Sequence, residues 1–311
     1  VIVTVDASQS KVYGNQDPSA LSITVQSEGP NDGLLTGASL SGSVVRAVGE
    51  NVGTYAITEG TLASSNPNYA ITLVGNDFTI TPRLVTVVIS NQTKQYDSTS
   101  TATLTAGTNT SSGSYTLTGF ITGEGAYITQ TVAAYNSPNV VSATSVTALV
   151  GSSYVAKAGT ALSNYILPTS VSTVANGASI TPVALTMTAD NVATFVGVAP
   201  TLTYQLTGLV GSDTASTAIT NPQITYLDSL LSAPMTTPTA DALTPSASSS
   251  NYTLSFVKGS LLVAGNYQII VNTGSNITSY GLLNRSNSSY LANALNTSNN
   301  VSAGYCTNCE E

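Results

Sequence analysis

Apolar residues fall at alternate positions in Val1–Val5, Ser22–Val25, Ala70–Val74 and Val85–Ile89. Period two is the signature of a strand with one face toward a core, and Thr, Val, Ile and Tyr, which dominate these runs, suit a pleated, half-buried surface. Helical spacing is nearly absent; Ser289–Leu295 is the one short run that fits it. Between strand patterns stand turn clusters, the densest being Gly14, Asn15, Asp17 and Pro18. A second break, Arg46 to Gly53, leads into Thr54-Tyr55-Ala56-Ile57, where Tyr55 is placed as a corner tyrosine, ring inward and hydroxyl on backbone.

The strand pattern repeats. Asn68-Tyr69 runs to Thr79-Ile80-Thr81-Pro82, Asn164-Tyr165 runs to Ser179-Ile180-Thr181-Pro182, and Asn251-Tyr252 fades into Leu261-Leu262-Val263-Ala264. A recurrence of roughly 85 to 100 residues marks a series of modules. The repeats span 1–82, 83–182 and 183–264, followed by an Asn/Ser-rich tail, 265–311. The third is the most divergent: Phe195 stands where the others have tyrosine, with Pro200 five residues on, and Ser229–Ser250 reads as an inserted Pro, Ser, Thr and Ala loop.

Charge changes the picture most. Asp, Glu, Lys and Arg make up 7% of the chain, against about 25% in soluble domains, so Ser, Thr, Asn and Gly must cover the surface. The net charge of -8 and the lack of a basic patch argue against nucleic acid as a partner. Few lysines are available to guard strand edges, which favours self-association. The chain opens on an uncapped strand pattern, Val1–Val5, and reads as a processed or excised piece of something longer.

The inventory for chemistry is short. No histidine is present, which removes Ser-His-Asp and Cys-His systems and His-based zinc sites. No Gly-rich loop fits a phosphate-binding pattern, and Asp-x-Asp spacing for calcium never occurs. Asp32 with Glu50 is a conceivable carboxylate pair and Glu28 with Asp32 the closest acids before the terminal Glu310-Glu311, though surface acids and a turn account for them better. Catalysis and cofactors are therefore not expected. Cys306-Thr307-Asn308-Cys309 is the one local motif, and it leaves open a disulfide, an intermolecular link or free thiols. The repeated Tyr13, Tyr69, Tyr96, Tyr165 and Tyr252 read as structural; the irregular Tyr127, Tyr135, Tyr226, Tyr280 and Tyr290 are candidates for contact.

Lys11-Val12-Tyr13-Gly14, Asp17-Pro18, Arg46, Gly49 to Tyr55, Gly60-Thr61-Leu62, Asn68-Tyr69 and Ile80-Thr81-Pro82 resemble the YG-type MBG domains of bacterial surface adhesins. Lys94, Tyr96-Asp97, Asn164 to Pro168 and Ile180-Thr181-Pro182 resemble the related YDG type, with Ser98 at a usual glycine, so the turn there is expected to be altered. The resemblance implies an all-β chain of tandem, elongated β-sandwich or β-grasp-like modules with a polar tail. It marks Lys11, Tyr13, Gly14, Gly53, Tyr55, Lys94, Tyr96 and Asp97 as motif residues and implies no catalytic ones. It further implies secretion to a bacterial cell surface or extracellular matrix. The expected partners are host or neighbouring-cell surface molecules or matrix glycans. Similarity to two-partner-secretion adhesins makes Cys306 and Cys309 a disulfide pair that engages an outer-membrane transporter. The rival expectation is a self-assembling extracellular fibre whose subunits polymerise into filaments through strand edges or a donated strand.

Overall fold

The structure is a computed structural model describing residues 1–26, 34, 37–265, 269–273 and 276–280, the last two stretches by backbone alone. Glu28, Asp32, the expected helix at 289–295, Tyr290, Cys306 and Cys309 lie outside the described residues. The chain divides into two compact units. One comprises Val1–Lys94, Ser100–Ser137 and Ser142–Ser179; the other comprises Gln95–Thr99, Pro138–Val141 and the chain from Ile180 onward.

The architecture is all-β. Among the described residues the only helices are a four-residue α-helix, Ala215–Ala218, and two 3-10 turns, Leu162–Asn164 and Asp228–Ser232. In the first repeat, Ile2–Val5 pairs antiparallel with Ile23–Val25 and parallel with Thr72–Val74. Its alternation is real: Val3 and Val5 are fully buried while Thr4 between them is exposed. The chain then bends, and Ser10–Val12 pairs parallel with Phe78–Thr81, which pairs antiparallel with Gly53–Tyr55. Asn76 spans the bend by donating to Val5 O at 2.8 Å. The opening and closing stretches of the repeat thus run side by side in one direction through two small sheets.

The other repeats use the same plan. Arg83–Leu84 pairs parallel with Tyr165–Ile166, and Thr86–Ile89 antiparallel with Tyr115–Thr118. Val183–Ala189 pairs parallel with Tyr252–Val257 and antiparallel with Tyr204–Thr207, and Val192–Phe195 pairs parallel with Gly259–Ala264. Parallel first and last strands have a consequence. The chain enters such a module at one end and leaves at the other, so Thr81-Pro82-Arg83 and Thr181-Pro182-Val183 join repeats without a separate linker.

Three expectations need correction. Residues within 229–250 are not an inserted loop: Thr239–Ser248 is a ten-residue strand between Gly259–Ala264 and Thr220–Thr225. Its alternation is carried by small residues around Leu243, which is fully buried with Leu261 and Val263, so composition hid the period. The opening strand is not an uncapped edge, because both its sides are paired within its own repeat. Ser98 does not alter its turn either. It takes the left-handed conformation itself, at φ 64°, a strain of about 1 kcal/mol for a residue with a Cβ.

Candidate functional site

The motif residues of the first repeat collect into two groups, and the first is a charge cluster. Lys11 enters from the strand Ser10–Val12, Asp17 from the following turn, and Arg46 and Glu50 from the glycine-punctuated corner. The Lys11 ammonium reaches Glu50 and lies 2.6 Å from Asp17 Oδ1; Arg46 bonds Asp17 at 2.7 Å and Glu50 at 2.5 Å. The two cationic side chains are only 5% and 9% exposed, whereas Asp17 is 41% and Glu50 67% exposed. The Arg46 guanidinium also lies over the Tyr55 and Phe78 rings, 5.2 and 5.5 Å from their centres.

Hydrogen bonds from Arg46 and then Lys11 hold the Asp17 carboxyl below its usual range, and Lys11 foremost does the same for Glu50. Burial opposes the charge on Lys11, but its bonds to Asp17 and Glu50 outweigh it and its pKa is raised. Each side chain thus favours the charged form of its neighbours, and the network ties the strand, the turn and the corner together.

The second group is a clasp, and the chain builds it twice. In the first unit the Tyr13 and Tyr165 rings meet edge to face, centres 5.3 Å apart at 81°. Their hydroxyls donate to the two oxygens of one carboxylate, Glu124, at 2.6 and 2.7 Å. The Ile121 N–H donates to the Tyr165 hydroxyl oxygen at 3.3 Å. Beside them Asn164, 1% exposed, accepts the Val52 N–H at 2.9 Å and donates to Asn51 Oδ1 at 2.9 Å. Arg83 adds bonds to Tyr13 O, Asn15 Oδ1 and Gly119 O.

The second unit repeats this constellation with other residues. Tyr96 and Tyr252 meet at 5.3 Å and 74°, and both hydroxyls donate to Asp213 Oδ2, at 3.0 and 2.6 Å. The Val210 N–H donates to the Tyr252 hydroxyl oxygen, while Asn251 accepts the Val140 N–H at 3.0 Å and donates to Asn139 Oδ1 at 3.0 Å. Each clasp joins an outgoing half, the tyrosine of one repeat with its Asn-Val dipeptide, to an incoming half. The incoming half is the Asn-Tyr pair and the acid of the next repeat. Phe195, the third repeat's counterpart of Tyr13, has no hydroxyl to offer a carboxylate.

The tyrosines and asparagines were legible as repeats; Glu124, Asp213, Asn51 and Asn139 were not. A signal for them existed. Thr118-Gly119 and Thr207-Gly208 each precede the acid by the same spacing, the two glycines share φ of 105° and 108°, and Asn51-Val52 recurs as Asn139-Val140. Of the remaining motif residues, Gly53 opens a strand opposite Ile80, and the Tyr55 hydroxyl donates to Asn51 O at 2.6 Å. Lys94 donates to Thr101 O and stands over the Tyr135 ring, and Asp97 closes a local turn by accepting from Thr99. Tyr135 is thereby buried in structure rather than presented for contact.

Burial, then the hydrogen bond to the acid, pushes Tyr165 and Tyr252 up to about 12; Tyr13 and Tyr96 are also raised. A phenol raised on folding stabilises the folded state below its unfolded pKa and loses that contribution as pH rises through the folded one. Phenolate absorbance should therefore show a late class of tyrosines, Tyr165 and Tyr252 together with Tyr154, which burial outside the clasps also raises to about 12, ionising near pH 12 with loss of structure. A single class titrating entirely near pH 10 would show the clasps to be open in solution.

Serial all-β modules joined by a recurring tyrosine–carboxylate clasp define a β-repeat protein. The model of the MBG domain (YGX type) matches residues 1–79 and 185–262, and the chain belongs to this family. The repeat at 83–182 lies between the two matched stretches. No curated protein and no solved structure matches the chain. Among the described residues no group of three or more His, Cys, Asp or Glu gathers to hold a metal.

Proposed function

We propose that this chain is a stalk segment of a secreted bacterial surface adhesin, giving multivalent adhesion to cell surfaces or biofilm matrix. The observation that carries the reading is the clasp, built twice from matching parts across repeats that follow one another without a linker. Modules so joined hold weakly binding surfaces at fixed spacing, and linked weak sites raise avidity about 10²–10⁴-fold without any strong single contact. The partners in this reading are host or neighbouring-cell surface molecules or matrix glycans, the second repeat is of the YDG type, and no catalytic role is assigned. Cys306 and Cys309 form a short disulfide loop that engages an outer-membrane transporter. A fibre assembled by donating the opening strand is disfavoured, since that strand is already paired on both sides.

The test is adhesion under flow of beads coated with the full chain at graded density, on host cells and on biofilm matrix. Attachment should rise more steeply than surface density. Attachment no greater than that of uncoated beads on every surface would defeat the reading.

A further inference from the structure

The two clasps share their hydrogen bonds but not their shapes. In the first, the residue after Tyr13 is Gly14 at φ 78°, and a Cβ placed there would overlap the Ile121 Cγ2 methyl, with Ile121 Cβ and Cδ1 at 3.5 and 3.7 Å. In the second, the left-handed residue is Ser98, two positions after Tyr96 where Gly14 is one after Tyr13, and it carries a side chain. The opposing residue is now Gly211, where a Cβ would overlap Ser98 Oγ, lie 3.0 Å from Ser98 Cβ and come within 2.9 Å of the Asp97 carbonyl oxygen. Bulk has changed sides. Where the outgoing half is bare the incoming loop is large, and where the outgoing half has a side chain the loop is bare.

We infer that the clasp is a shape-coded docking surface, in which the left-handed residue of each outgoing half selects the incoming half of an MBG-type module whose glycine-to-acid loop complements it in size. The two loops align from Gly119 to Glu124 and from Gly208 to Asp213, so Thr122 occupies the position of Gly211. A loop of the first kind would strike Ser98. Against Gly14, conversely, a loop of the second kind, with Val210 at the position of Ile121 and Gly211 next to it, would leave space unfilled. The hydroxyl–carboxylate bonds recur in both clasps and so do not select between partners; the paired sizes decide which incoming half each outgoing half fits. This inference rests on reading the repeats as serial modules, and its test does not involve adhesion.

The test is amide exchange in the full chain, read at the Val52 N–H that Asn164 accepts. Serine at φ 64° is tolerated at position 98, so strain alone does not forbid Gly14→Ser; its obstacle is Ile121. G14S should speed Val52 exchange at least about tenfold while amides in the Ile2–Val5 ladder stay protected, I121A alone should change it less than about threefold, and G14S/I121A should return it to within about threefold of the unaltered chain. Unchanged Val52 exchange in G14S, or a double variant exchanging as fast as G14S, would overturn the inference. Should G14S not fold, the second clasp decides. There G211A should speed exchange of the Val140 N–H that Asn251 accepts, and adding S98G, which removes the Oγ overlap but not the approach of the Asp97 carbonyl, should slow it again at least about threefold. No slowing on adding S98G would equally overturn the inference.

Discussion

Glu124→Ala should weaken the first clasp by about 4 kcal/mol, because two phenol hydroxyls lose a charged acceptor at once and each such bond contributes about 1.5–3 kcal/mol. The effect is large since both rings are enclosed: Tyr13 is 7% and Tyr165 6% exposed, and they pack edge to face. Read as exchange of the Val52 N–H, that cost corresponds to nearly a thousandfold loss of protection, at about 1.4 kcal/mol per factor of ten. Glu124→Gln should cost only about 1 kcal/mol. Its amide oxygen still accepts from one hydroxyl, and its amide nitrogen can donate to the other phenol oxygen. Asp213→Ala should do to the second clasp, at Val140, what Glu124→Ala does to the first. Protection unchanged within threefold in both alanine variants would mean that ring packing alone holds the joints.

Arg46→Ala is expected to destabilise the first repeat by about 3 kcal/mol, the lower end of the cost of breaking a buried ion pair, since Asp17 and Glu50 are wetted and water replaces part of what they lose. The guanidinium contributes more than charge. It covers the Tyr55 and Phe78 rings and donates to Ala47 O and Gly49 O, so its removal uncovers apolar surface and frees the corner that carries Asn51 and Val52 to the clasp. Lys11→Met should cost less, about 1 kcal/mol, because an apolar chain of similar length fills the buried path and leaves no unpaired charge inside. Urea unfolding followed by amide exchange across residues 1–82 separates the two. Equal losses for both variants would show that the network acts by charge alone.

How far the sequence could be read depends on whether information was local. Val1–Val5 and Val85–Ile89 were legible as strands because alternation with β-branched residues dictates which face is buried, and both lie where strands are found. Thr239–Ser248 was missed because its alternation is spelled in Thr, Ala and Ser, and only packing around Leu243 makes the period matter. Ser98 was misjudged for a related reason. The usual glycine implied that a side chain would change the turn, yet the opposing Gly211 leaves room for it and the strain is borne.

The recurring Asn-Tyr and Ile-Thr-Pro stretches suffice to establish an all-β repeat protein, since pleat periodicity and module recurrence are properties of neighbouring residues. With the recurring Lys-x-Tyr openings they also mark Tyr13, Tyr96, Tyr165 and Tyr252 as structural. Nothing local, however, pairs Glu124 with a tyrosine 111 residues before it and another 41 residues after it, or Asp213 with partners 117 and 39 residues away. Those meetings arise because parallel first and last strands deliver the tyrosine of one repeat and the Asn-Tyr pair of the next to a common place. An acid in a polar loop has no sequence mark of burial until the fold encloses its partners.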